Sequence, residues 1–391
     1  MNQNQLFLIH KLDIEAARVY HRHMPYILEN LPTRPLDMSS LLAPLGRANR
    51  ALARYAGNLE FLRNPDLLLS PFLLQDCVLS SRIEGTQTTL DDVLAYEAGS
   101  TEGPTADSQE VINYREALRY GAHSLQHREL SFGLLREMHA LLLRGVRGES
   151  KDPGQVRRTQ NWIGARGCSM ETASYVPPAP ETLSAYLDNW DAYLRTEDAD
   201  PLIQVCILHA QFEMIHPFLD GNGRIGRLMI PLFLNQRRIL HRPVFYLSEY
   251  LEKNRDRYMG CLADIERRDG WEAWILFMLN AIAEQASVNT ERAHRLHEYH
   301  EQCSADFRRL LNSPYSQALL DAIFAHPIFN RSQIREAVPD ISAPTLQRAL
   351  NSLCQEKIIS LHRDSSGRRP ALYAMRRLLD IASGREDALD L

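Results

Sequence analysis

A chain of 391 residues with 45% hydrophobic content is long enough for two or three packed domains. Its formal charge of -5 argues against a chain-wide nucleic-acid or membrane-surface role, while leaving room for a local basic patch. The six cysteines, Cys77, Cys168, Cys206, Cys261, Cys303 and Cys354, are far apart and form no CxxC pair, which disfavours structural zinc and a disulfide framework and suits reduced thiols in a cytosol. The opening stretch "MNQNQLFLIHKLDIEAARVY" lacks the basic and apolar regions of a signal peptide, and no apolar run nears the roughly 20 residues that span a membrane. The expectation is a soluble, cytoplasmic protein with no membrane partner.

In chain order, "LLAPLGRANRALARYAGNLEFL" opens with helical spacing of its apolar residues. A second helix starts at Ser70-Pro71, carries an apolar face of Leu73, Leu74, Cys77 and Val78, and stops at Gly85. Thr88 with Asp91 then has the pattern of a capping box opening the next helix. Glu84 falls in a last helical turn, where the dipole disfavours an acid by about 0.3–1 kcal/mol, so either a cation compensates it or it stands exposed. Past the loop "GSTEGPTADSQ", helices follow in "SQEVINYREALRYGAHSL", "FGLLREMHALLLRGV" and "ETLSAYLDNWDAYLRT". Residues 155–178 and 358–375 read as hairpins, and "SVNTERAHRLHEYHEQCSADFRRLL" as a polar linking helix. In that helix His294, His297 and His300 lie three apart, which fits a solvated face better than a metal site; His21 and His23 have no ligand context. The class is mostly α. The expected division is an N-terminal helical segment (1–105), a central helical domain (106–285), the linking helix (286–311) and a small C-terminal domain (312–391).

The densest chemistry is "HPFLDGNGRIGR", His216 to Arg227, between two apolar runs. Gly221, Gly223 and Gly226 spell the G-x-G-x-x-G of dinucleotide folds, but that motif needs a preceding strand. Here the preceding run, Pro201 to Ile215, is helix-length and carries Gln204, His209, Gln211 and Glu213, so that reading fails. The physics of the turn remains. Glycines let backbone N–H groups approach an anion, the restarting helix offers unpaired amides, and Arg224 and Arg227 share one helix end. Asp220 would repel phosphate unless it holds a divalent metal, and His216, before a proline, can take a proton from a hydroxyl.

This stretch resembles the complete signature of the Fic family, H-x-F-x-[D/E]-G-N-G-R-x-x-R, at every specified position. The resemblance implies an α-helical fold that transfers AMP from ATP, with Mg2+, to a Tyr, Thr or Ser hydroxyl of a protein substrate, self-modification included. It implies His216 as general base, Phe218 as loop anchor and Asp220 as magnesium ligand. It further implies Gly221, Asn222 and Gly223 as the nest for the α- and β-phosphates, and Arg224 and Arg227 as β- and γ-phosphate ligands, with Ile225 and Gly226 in the same nucleotide-binding turn. Such transfer works by positioning and charge stabilisation.

Ser80-x-x-x-Glu84-Gly85 likewise resembles the inhibitory motif [S/T]-x-x-x-E-[G/N] of such proteins, and the flanking "NPDLLLSPFLLQDCVLSSRIEGTQTTLDDVL" their N-terminal segment. This implies that Glu84 pairs with Arg227 and blocks the γ-phosphate within one chain; the same carboxylate could position water to remove AMP. "QVRRTQNWIG" resembles the family's flap, which holds a target segment by strand addition, although Trp162 and Ile163 equally suit a core. By the same resemblance, "SEYLEKNRDRYMGCL" would bring Asn254 or Tyr258 to the adenine and ribose; its own pattern equally suits a plain amphipathic helix. A homodimer is compatible with all of this.

The C-terminal order of helix, helix, helix, hairpin resembles a winged helix. Asn330 and Ser342 would cap its second and third helices, Thr345, Gln347, Arg348 and Asn351 would stand exposed on the third, and Arg363, Arg368 and Arg369 would sit at the hairpin tip. Such modules contact DNA or protein. The rival function is therefore a DNA-binding regulator whose central domain only senses nucleotide.

Overall fold

A computed structural model describes residues 24–62, 64–99, 106–165, 167–197, 200–366 and 369–385. His21, His23, Arg368 and most of the loop "GSTEGPTADSQ" lie outside the described residues. The chain is mostly helical. Helix α1, Leu42–Phe61, buries Ala48, Leu52, Tyr55 and Leu59, a stripe at spacings of three and four, and packs along the long helix Trp271–Leu311.

A short turn of helix, α2 (Pro65–Leu68), leads into α3, Ser70–Ile83. The expected start at Ser70-Pro71 holds, but the N-cap is Leu69 and no side chain caps the helix. Gly85, at φ 93°, follows Glu84, the C-cap. The next helix, α4 (Leu90–Glu97), is capped one residue later than the sequence suggests, by Thr89 with Asp92. The buried Thr88 instead turns its hydroxyl to Ser108, 3.3 Å away, leaving the exposed Thr89 to meet the Asp92 amide.

Helices α5 (Ala106–Ser124), α6 (Phe132–Leu142), α7 (Leu183–Leu194), α8 (Pro201–Ile215) and α9 (Asn222–Gln236) surround the glycine-rich turn. Helix α8 is buried on nearly every face, which explains why apolar residues occupy all its sides, with Gln204, His209 and Gln211 buried among them. Between α6 and α7, the expected hairpin over 155–178 reduces to one antiparallel bridge, Ile163 with Tyr175, and a 3₁₀ turn at Met170–Thr172. Helices α10 (Ser248–Lys253) and α11 (Arg255–Arg268) precede α12, Trp271–Leu311. Residues 286–311 are the second half of this 41-residue helix, because Leu296, Tyr299, Cys303 and Phe307 continue its buried stripe under the polar residues. His300 belongs to that stripe and meets the Phe324 ring edge-on at 4.9 Å, rather than facing solvent.

The C-terminal unit runs α13 (Ser316–Ala325), β1 (Ile328–Phe329), α14 (Arg331–Ala337), α15 (Ala343–Gln355), β2 (Ser360–Arg363), β3 (Leu372–Ala374) and α16 (Arg376–Ser383). Asn330 and Ser342 cap α14 and α15 as expected. The three strands form one antiparallel sheet in the order β1-β3-β2. Strand β1, two residues long, is too short to leave a periodic signal.

Candidate active site

The last turn of α8 places His216 at its C-cap in the left-handed region, φ 49° and ψ 59°, immediately before Pro217. A non-glycine residue there is strained and must be held from outside. Arg157 supplies the hold. Its Nε donates to the His216 carbonyl at 2.9 Å, its backbone N–H to Pro217, and its second guanidinium nitrogen to Pro178. The imidazole Nδ1 lies 3.2 Å from the Glu213 carbonyl, an acceptor, so Nδ1 carries the proton and Nε2 keeps its lone pair. Burial lowers the His216 pKa to about 4, so the ring is neutral at neutral pH.

The loop after it is closed by Asn222, whose side chain accepts from the Phe218 N–H and donates to the Phe218 carbonyl, both at 2.8 Å. Phe218 is fully buried and stacks on His139 at 3.8 Å. His139 Nε2 meets the Asp220 carbonyl at 2.8 Å, and its Nδ1 accepts from Gly154 at 2.8 Å. Gly221, at φ 80°, is the N-cap of α9, a conformation that a Cβ would oppose. Behind it Gly223, Ile225 and Gly226 form the first turns of α9, with Ile225 buried in the core.

Two arginines of α9 are buried and engaged. Arg224 pairs with Asp220 at 3.1 Å and with the buried Glu110 at 3.3 Å. Arg227 donates from Nε to the Ser80 hydroxyl at 2.9 Å and from one terminal nitrogen to the Ser80 carbonyl at 3.1 Å and Glu84 at 2.8 Å. Glu84, 35% exposed, thus faces the cation its position required. Burial pushes its carboxyl up, but the Arg227 charge, the bond to it and the Arg224 charge together hold it below the ordinary value. A Cβ on Gly223 would overlap the Glu84 carboxylate, so that carboxylate rests on the first turn of α9, where an anion would also bind.

His216, Glu84, Gly223 and Arg227 line a cavity of about 340 Å³. Ile163, Tyr175, Met259 and Leu262 line the same cavity, so the flap-like segment forms part of its wall. Trp162 stays 43% exposed beside it. Tyr258 lines the cavity and bonds His209 at 2.8 Å, whereas the Asn254 side chain turns back to the Tyr250 carbonyl. Sequence reasoning missed Glu110, His139 and Arg157; each acts on a residue far along the chain, and no local spacing marks it. Among the described residues no cluster of three or more His, Cys, Asp or Glu could hold a metal. A single half-buried Asp220 beside the glycine-rich turn still fits a magnesium ion, which takes one or two carboxylates and completes its shell with water and phosphate.

Against known proteins, the Fic/DOC family N-terminal profile matches residues 42–123 and the Fic/DOC family profile residues 129–234. "Protein adenylyltransferase fic-1" of Caenorhabditis briggsae is 31% identical over 134 residues, 33% of this chain and 24% of that protein. "Protein adenylyltransferase Fic" of Nematostella vectensis is 25% identical over 239 residues, 59% and 51% of the two chains. This chain therefore spans less than two thirds of the curated relatives it matches. Among solved structures, a Fic family protein from Desulfovibrio desulfuricans G20 has a TM-score of 0.54 at 22% identity, over 90% of this chain and 97% of that one. Residues 134–508 of Fic-1 from C. elegans have a TM-score of 0.51 at 22% identity, over 66% and 74%. At such identities the structural likeness speaks for the fold. With the signature, the helical fold and both profiles in agreement, residues 42–123 carry the N-terminal region of the Fic/DOC family and residues 129–234 its Fic domain.

Proposed function

We propose that this chain is a protein adenylyltransferase, transferring AMP from ATP to a side-chain hydroxyl of a protein substrate, and that Glu84 restrains it. The observation that carries the reading is the meeting, on one cavity, of a neutral His216, the glycine-capped start of α9 and an arginine already occupied by Glu84. The hydroxyl oxygen attacks the α-phosphorus, its proton passes to His216 Nε2, and pyrophosphate leaves with the broken bond's electrons. Arg224, Arg227 and the amides of Gly221, Asn222 and Gly223 stabilise the phosphate charge. Magnesium, when held by Asp220, would neutralise part of that charge. The same Glu84 carboxylate supports a reverse role, orienting water to remove AMP.

ATP labelled at the α-phosphate tests the reading. Covalent label on protein supports it; ATP binding without transfer, by the parent and by Glu84→Gly alike, would overturn it. The regulator reading is not favoured: the curated relatives are named for transfer, and a nucleotide sensor needs no His216 base. The C-terminal unit is read as a winged helix, supported by its element order and by Arg348 and Asn351 exposed on α15; its contact, DNA or protein, would add to transfer rather than replace it. No described helix is long and apolar enough to cross a membrane, and the cysteines are free, which supports a cytoplasmic setting.

A further inference from the structure

Besides the buried Asp76, two carboxylates that line the cavity act on the Arg227 charge. The second is Glu213, one turn before His216 on α8. Its side chain is 12% exposed, and its buried Oε1 has no hydrogen-bond partner. Its neighbour on the same helix, His209 Nδ1, lies 4.0 Å away, is buried, and is also unpartnered. A Cβ on Gly226 would overlap Glu213 Oε1, as one on Gly223 would overlap Glu84. Gly223 and Gly226, in successive turns of α9, therefore each leave room for one carboxylate, and both carboxylates line the cavity together with Arg227.

The titratable and charged groups around Glu213 are His209 and His216 on α8, Arg227 on α9, Glu84 at the end of α3, Tyr258, Arg255 and Glu266 on α11, and Tyr175 of the flap-like segment. Both histidines are neutral, their pKa values lowered by burial to about 3 and about 4. Arg227 is committed to Ser80 and Glu84, and Arg255 donates to the Ile83 carbonyl at 3.1 Å.

We propose that Glu213 is a further positioning residue of this site, a carboxyl that must be uncharged for Arg227 to receive the terminal phosphates of a nucleotide. It rests on the reading above, in which Arg227 is a phosphate ligand. Uncharged, Glu213 leaves the guanidinium to the phosphate. Ionised, it competes for that guanidinium and repels the incoming charge. Burial pushes the Glu213 carboxyl up to about 8, against the pull of Arg227 and with the help of Glu84. Releasing Glu84 removes one negative neighbour, and a bound triphosphate restores it. Nucleotide binding and protonation of Glu213 are thus linked, and each favours the other.

The test is ATP affinity in the presence of magnesium, by calorimetry, for Glu84→Gly and for Glu84→Gly with Glu213→Gln. From about pH 6.5 to about pH 9, the single variant should weaken by about tenfold while the double variant changes by less than about twofold. At about pH 8, the single variant measured in two buffers of different ionisation heat should take up protons on binding ATP. This second measurement decides the matter even if the double variant fails to fold. Equal pH dependence in both variants, or binding without proton uptake, would overturn the role of Glu213 alone. No ATP binding by Glu84→Gly at any pH would overturn it together with the reading on which it rests.

Discussion

Under the proposed function a phosphate competes with Glu84 for Arg227, so Glu84→Gly should raise AMP transfer, self-modification included. A charge-assisted bond is worth about 1.5–3 kcal/mol, and its release shifts the productive population by about one to two decades. Initial rates at saturating and sub-saturating ATP check this; Arg227→Ala should show no gain, because it removes the phosphate ligand with the inhibitory partner. His216→Ala should lose about 100- to 10,000-fold in transfer while ATP binding, read by calorimetry, stays near normal. The neutral, buried His216 also sets a pH expectation. Its free-base form persists well below the ordinary imidazole value, so transfer by Glu84→Gly should hold as pH falls through about 6.5 and drop only in more acid buffer. At this scale the pair of Glu84 and Arg227 was legible across 143 residues only because both ends sit in recognisable motifs. Glu110, 114 residues from Arg224, has no motif, and its burial is a property of the packed core.

Among the elements, the long amphipathic helices were readable because their apolar stripes repeat over several turns, while the flap was over-read as a hairpin because its alternation is realised in a single bridge. The linking helix looked separate because its surface turns polar while its buried stripe runs on. What no periodicity encodes is the hold on the turn between α8 and α9. Arg157→Met keeps the length of the side chain but withdraws the donors that reach the His216 and Pro178 carbonyls. Leaving buried acceptors unpaired costs about 1–3 kcal/mol, so the melting temperature should fall. The informative readout is kinetic: with ATP affinity little changed, kcat should drop, because the strained His216 backbone is freed while the start of α9 is not. An equal loss in ATP affinity would mean that Arg157 supports the whole loop rather than the base.

On the scale of the molecule, the segment that carries Glu84 is held between two bodies. One side of α3 and α4 packs on α5, α9 and α10, and the other on β1, α13 and α16 of the C-terminal unit. Polar contacts fix the second side: Asn330 Nδ2 donates to the Ala98 carbonyl at 2.7 Å, Gln333 to the Glu97 carbonyl at 2.9 Å, and Arg376 pairs with Asp91 at 2.7 Å. None of this was legible beforehand, because the partners lie more than 230 residues apart along the chain. Asn330→Asp isolates one contact. The new carboxylate still accepts from the Gln333 amide as the cap of α14, but it turns an acceptor toward the Ala98 carbonyl in place of a donor. A buried acceptor without its partner costs about 1–3 kcal/mol, so amide exchange in α4 should quicken first. Because α4 follows α3 after only a short turn, the loosening should reach the last turn of α3 and weaken Glu84 on Arg227. Transfer should then rise, by less than in Glu84→Gly, and the combined variant should be no faster than Glu84→Gly alone. Faster exchange in α4 with unchanged transfer would show that the C-terminal unit steadies the fold without bearing on the glutamate.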